Sequence, residues 1–127
     1  NFGNYDAPAT GISIGLDRLV YALMQKKDFK IKQIKPVVIC IFDKSSMKEY
    51  INLQTVLRNA GISTEIYPGE GKLKKQMEYA NKIKSPAVIL YGENEIKTGK
   101  PTLRNLVSGD EKSITTKELV NEIKKII

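Results

Sequence analysis

Between Pro36 and Tyr91 the apolar residues alternate between two rhythms. Val37-Val38-Ile39-Cys40-Ile41-Phe42 is an unbroken apolar run rich in β-branched residues, which predicts a strand covered on both faces. Tyr50, Leu53, Leu57 and Ala60 then recur at helical spacing, and Gly61 stands where a left-handed C-cap is favoured. Ile62 to Tyr67 predicts a second strand, closed by Pro68-Gly69. Leu73, Met77, Ala80 and Ile83 or Lys84 mark a second helix, and Ala87 to Tyr91 a third strand. Strands joined by helical crossovers of this length pair in parallel through right-handed connections, so the pattern predicts an α/β sheet with helices on both faces.

After Tyr91 the rhythm changes. Ile96 with Thr98-Gly99-Lys100, and Pro101-Thr102-Leu103, predict two short strands joined by a glycine-containing turn, which makes one strand antiparallel; Ser108-Gly109-Asp110 predicts a further turn. Thr115-Thr116-Lys117-Glu118 is a capping box ahead of Leu119, Ile123 and Ile126, and predicts a closing helix.

The first segment, residues 1–28, begins polar and glycine-rich in Asn1 to Asp6, as a cut end would. Gly11-Ile12-Ser13-Ile14-Gly15 predicts a strand and turn, and Leu16, Leu19, Val20 and Leu23 the apolar face of a helix. A lone strand and helix bury too little apolar area to offset their ordering, so this piece is expected to dock on the following domain or on something outside the chain. The lysine-rich stretch 29–35 reads as a linker, and residues 36–127 as the domain proper.

Composition narrows the chemistry. The 127 residues hold 21 Lys and Arg against 14 Asp and Glu, a formal charge of +7, which favours a polyanionic partner without deciding on one. With no histidine and only Cys40, zinc sites and imidazole-based triads are excluded, as is an intrachain disulfide; a lone cysteine fits a reducing cytoplasm. The longest apolar runs reach only six residues, against the roughly 20 that a membrane helix needs, and no signal peptide is expected.

Three places could carry chemistry. Gly69-Glu70-Gly71-Lys72 lies between strand and helix, but it lacks the earlier glycine and the Ser or Thr of a P-loop, which leaves a tight turn or a loop beside a nucleic-acid backbone. Glu95, in Gly92-Glu93-Asn94-Glu95, follows the third parallel strand at the carboxyl end of the sheet, where ligands gather. It could accept from base amino groups while Arg104 donates to a guanine edge, or the two could form a surface ion pair. Lys72, Lys74 and Lys75 open a helix whose dipole they oppose, which a partner phosphate or a solvated face would explain. Cys40 reads as an inert core thiol, and Tyr50, Tyr67, Tyr79 and Tyr91 as core or half-buried residues, with base stacking as the lesser alternative.

Gly11-Ile12-Ser13-Ile14-Gly15-Leu16-Asp17-Arg18-Leu19 resembles the third signature motif of the class II aminoacyl-tRNA synthetases. Leu57-Arg58-Asn59-Ala60-Gly61-Ile62, Leu73-Lys74-Lys75-Gln76 with Tyr79-Ala80, and Gly92-x-x-Glu95 with Lys97-x-Gly99-Lys100 follow in the order of the C-terminal anticodon-binding domain shared by the histidine, threonine, proline and glycine synthetases. The Lys-Gln with Tyr-Ala helix is most similar to the histidyl branch.

The resemblance implies a mixed five-stranded sheet, mostly parallel with one antiparallel strand, with three helices in three layers, preceded by a strand-helix remnant of a catalytic domain. It implies that Glu95 and Arg104 contact anticodon bases, with Glu70 and Lys72 nearby, and that Arg18 binds the ATP γ-phosphate in the intact enzyme. The implied parent is a homodimeric cytoplasmic ligase that joins histidine to its tRNA with ATP and Mg2+. The first two signature motifs are not among these residues, so the fragment alone is expected to need no cofactor and to be catalytically inactive. Its implied partners are a tRNA anticodon stem-loop and its own catalytic domain, with neither DNA nor a membrane. A protein-interaction or regulatory module on the same fold is the alternative.

Overall fold

The computed structural model describes residues 10–26 and 34–127. The chain divides into two units, Asn1–Gln33 and Ile34–Ile127. Within the first, Leu16–Met24 forms helix α1, on which no residue is buried. The strand expected at 11–15 is not formed: those residues have no strand partner among the described ones, and a strand exists only through the neighbour it hydrogen-bonds. The polar start at Asn1–Asp6 and most of the expected linker, residues 29–33, lie outside the described residues.

The second unit alternates β1 (Val37–Cys40), α2 (Met47–Asn59), β2 (Thr64–Ile66), α3 (Leu73–Lys82) and β3 (Ala87–Leu90), with a 3-10 turn at Lys44–Ser46 ahead of α2. Helix α4 (Glu93–Thr98), strands β4 (Thr102–Asn105) and β5 (Glu111–Ser113) and helix α5 (Thr116–Ile126) complete it. The sheet order is β2-β1-β3-β4-β5. Strand β1 pairs in parallel with β2 and β3, and β4 runs antiparallel to both β3 and β5. One strand is therefore reversed, as expected.

The pleat of β1 divides the core. Val37 and Ile39 join Tyr50, Leu53 and Leu57 of α2 and Leu119 and Ile123 of α5 on one face. Val38 and Cys40 join Val88 and Ala80 on the other, with Leu73, Met77 and Ile83 around α3 closing over them. All four residues of β1 are fully buried, which is what an apolar run without alternation requires. Gly61 ends α2 at φ +80°, a conformation that a Cβ would strain, and Ile62 donates its N–H back to the Leu57 carbonyl at 3.0 Å. Thr115 and Glu118 form the capping box of α5, the Thr115 N–H donating to Glu118 Oε2 at 2.9 Å.

Two expectations fail between Gly92 and Ser113. Residues 93–98 form a helix rather than a strand, so the domain has four α-helices instead of three, and with α1 there are five among the described residues. The Gly92 N–H donates to Glu95 Oε2 at 2.9 Å, closing the first turn, and Gly99 ends the helix at φ +66°. A single apolar residue facing the core, Ile96, leaves too little periodicity to identify so short a helix. The fifth strand is instead β5, whose three residues Glu-Lys-Ser are all exposed and carry no apolar signal.

Burial raises the Cys40 thiol to about 11 from its ordinary 9.0. The neutral thiol is thus favoured by folding, and its contribution is complete below pH 9 and lost as pH rises toward the folded value. Cys40 should accordingly resist a thiol-specific disulfide reagent at pH 8 in the native protein and react at once in denaturant; rapid native labelling would contradict its place in the core.

Candidate nucleic-acid interface

The carboxyl ends of β1 and β2 open into a groove of about 670 Å³. Its walls are the loop after β1 (Ile41, Phe42, Lys44), the start of α2 (Met47, Ile51), the end of β2 and the loop beyond it (Ile66 to Gly71), and Gln76 of α3. Loops leaving parallel strands at this end are the usual ligand position in open α/β sheets.

Two buried polar side chains, one from each face of the sheet, fix the loop after β1. Gln76 on α3 is 2% exposed; its Oε1 accepts from the Ile41 N–H at 2.8 Å, and its Nε2 donates to the carbonyls of Ile41 at 2.6 Å and Gly71 at 3.1 Å. That one amide ties the exits of β1 and β2 together. On the opposite face the fully buried Tyr50 offers its hydroxyl oxygen to the N–H groups of Phe42 at 3.1 Å and Asp43 at 3.3 Å. Strand β1 stops at Cys40, short of the expected Phe42, because these side chains take over the ladder's hydrogen bonds.

The ring of Phe42 emerges half exposed, beside Gly92. A Cβ on Gly92 would stand 3.0 Å from Glu95 Oε2 and 3.5 Å from Phe42 Cδ2, so glycine permits the close approach of carboxylate, backbone and ring. Gly92 is extended at φ −82°, which any residue adopts. Gly92→Ala should therefore leave the fold near wild type, by thermal unfolding, and shift Glu95; unchanged RNA affinity in that variant would remove Glu95's position from the account.

The sequence candidates are placed unequally. Glu95 lies half buried at the first turn of α4, its carboxylate engaged by Gly92. Glu70 borders the groove and pairs with Lys44, whose hydrogen bond holds the carboxyl below the ordinary range. Lys72 is the exposed residue preceding α3, with exposed Lys74 and Lys75 in its first turn and no acidic residue among them. Arg104 is elsewhere: the register sets it opposite Val88 on β3 and Glu111 on β5, and its guanidinium lies 4.0 Å from Glu111. Val88 is four residues short of Gly92, about 13 Å along a strand. The ion pair considered between Arg104 and Glu95 is thus replaced by Arg104 with Glu111. Arg18 is exposed on α1 in the first unit.

Sequence reasoning missed Phe42, taken as the end of a strand, and the positioning role of Gln76. A signal for Gln76 exists: it stands three residues after Leu73 on the apolar face of its helix, and a polar residue at such a place must find buried partners. The four tyrosines and Cys40 are placed as expected, Tyr50 and Cys40 buried and the other three half buried. Tyr50 stacks edge-on with Tyr91 at 6.4 Å and Tyr67 with Tyr79 at 5.4 Å.

Among the described residues, no group of three or more His, Cys, Asp or Glu could hold a metal ion, and no helix is long and apolar enough to cross a membrane.

Residues 35–126 match the family described as the anticodon binding domain. A histidine–tRNA ligase from Pelagibacter ubique is 42% identical over 99% of the chain, which spans 28% of that protein's length. A histidyl-tRNA synthetase from Nostoc sp. PCC 7120 superposes with a TM-score of 0.70 at 26% identity, covering 88% of this chain and 28% of that one. The RNA-binding domain of a threonyl-tRNA synthetase from Cryptosporidium parvum shares the fold, with a TM-score of 0.66 at 14% identity over 72% of this chain and 23% of its own. The chain belongs to the anticodon-binding domain family, in the form found in the C-terminal part of histidine–tRNA ligases.

Proposed function

We propose that residues 36–127 recognise the anticodon stem-loop of histidine tRNA, as RNA rather than DNA, and hold it for a catalytic domain of which residues 1–28 are the last part. The carrying observation is the cluster at the sheet's carboxyl end: a carboxylate fixed at Gly92, an open groove, and the exposed Lys72 and Lys75 beside its Gly71 rim. In this reading Glu95 accepts from a base edge and Lys72 meets the backbone. Arg104, set back along the sheet and facing Glu111, would meet a different base from the one at Glu95. Glu70 is the weaker contact, since Lys44 already occupies it.

The whole enzyme, on the same proposal, is a cytoplasmic homodimer that activates histidine with ATP and Mg2+, and Arg18 is the cation this chain contributes to the ATP phosphates. The domain's 15 Lys and Arg against 11 Asp and Glu are a mild excess, so placement rather than bulk attraction must supply specificity. A titration with the stem-loop should show Kd rising about 10- to 100-fold for Glu95→Gln, the cost of one lost base contact. Arg104→Ala should weaken binding in the same direction. Indifference to both at low salt removes them from the site.

The carboxylates on the domain surface set its acid limit. Hydrogen bonds hold Asp43 (from Ser45), Glu70 (from Lys44), Glu118 (from the Thr115 amide) and Glu122 (from Lys125) below their ordinary values. Folded groups of lowered pKa give stability that is present above the unfolded value and lost as pH falls through the folded one. The melting temperature should hold steady near neutrality and decline below about pH 4; a decline beginning at pH 6 would contradict this assignment.

A further inference from the structure

We propose that Phe42 is a stacking platform on which one unstacked base of the RNA loop lies, with the groove beside it receiving that base. The proposal rests on the anticodon reading above and adds to it the group that reads the face of a base rather than its edge.

Phe42 follows four fully buried strand residues, yet it is 50% exposed. Its backbone does not wander: the residue before it is clamped by Gln76, and its own N–H and that of Asp43 are held by Tyr50. The ring thus presents an open aromatic face from a fixed backbone, and such a platform serves any base because every base has a π-face.

The surroundings suit a nucleotide. Phe42 and the edge of Glu95 meet at Gly92, so a base lying on the ring would bring its polar edge toward a carboxylate. The groove adds Met47, Ile51 and Tyr67 as apolar wall and the Lys44–Glu70 ion pair at its mouth. Beside its Gly71 rim stand Lys72, the next residue, and Lys75, whose side chain lies against Gly71, and neither forms an ion pair among the described residues. Apolar walls bordered by unpaired cations match a base flanked by phosphates. An apolar protein segment would cover the ring but leave the cations unanswered, and the cations oppose the dipole of α3 when left alone.

The test uses the 127-residue chain and a histidine-tRNA anticodon stem-loop with 2-aminopurine replacing one loop base at a time, reading Kd and fluorescence together. Wild type should bind and quench the probe at one position. Phe42→Leu keeps the apolar bulk but has no π-face; its Kd should rise about tenfold or more and that quenching should vanish, while Phe42→Trp should keep both. Since the ring is half exposed, urea unfolding of each variant should match wild type. Wild-type affinity and quenching in Phe42→Leu, with Glu95→Gln still weakened, would overturn the stacking proposal and leave the anticodon reading standing, with a protein segment as the ring's cover. No binding of the stem-loop by the wild-type chain would overturn both.

Discussion

Replacing Gln76 with leucine should cost the domain about 2–4 kcal/mol, far more than its lost side-chain contacts suggest. The leucine fills a similar volume but has no polar atom, so the Ile41 N–H, the Ile41 carbonyl and the Gly71 carbonyl all lose their partner. These groups sit where two strands leave the sheet, the Ile41 pair partly buried and held by a side chain that is itself 2% exposed. Urea unfolding should show a lower midpoint with an unchanged slope, the mark of a weaker native state rather than a different unfolded one. Because Gln76 joins the exits of β1 and β2, RNA affinity should fall as well, even though Gln76 is buried and need touch no RNA. Near-wild-type stability would mean that water replaces the amide.

Tyr50→Ala should cost about 3–5 kcal/mol, the range for deleting a large ring from a packed core. Tyr50 is fully buried between sheet and helix, edge-on to Tyr91 and in the cluster of Val37, Ile39, Leu53 and Leu57. Tyr50→Phe separates the two roles of the residue. It keeps the ring and removes only the hydroxyl that accepts from Phe42 and Asp43, two groups near solvent, so the expected loss is about 1 kcal/mol. The phenylalanine variant should nonetheless bind RNA less well than its stability predicts, because the loop carrying Phe42 is no longer pinned. Equal stability losses in the two variants would deny the ring its place in the core.

What could be read from the chain divides along physical lines. The elements that bury a face were legible: β1 as an unbroken apolar run, α2 and α3 through helical spacing, α5 through its capping box. Elements without apolar payload were not. Helix α4 offers only Ile96 to the core and is held by the Gly92–Glu95 hydrogen bond, and β5 is three exposed polar residues kept in place by pairing with β4. The site shows the same division. Glu95 and Lys72 stand at the sheet's carboxyl end because that follows from chain order in a parallel sheet. Arg104 depended on the strand register beyond α4, so misreading that helix misplaced its partner. Phe42 looked like a sixth strand residue because nothing local reveals that Gln76, thirty-four residues on, ends the strand first.

The central claim is that this domain distinguishes the histidine anticodon, and one comparison tests it most directly. The chain should be titrated with the histidine-tRNA anticodon stem-loop and with the same stem-loop carrying three different anticodon bases, at two salt concentrations. The account predicts at least a tenfold preference for the histidine loop that survives the higher salt, with both affinities falling as phosphate contacts to lysines such as Lys72 are screened. Equal affinity for the two loops at both concentrations would contradict it, leaving a basic surface that attracts RNA without reading it.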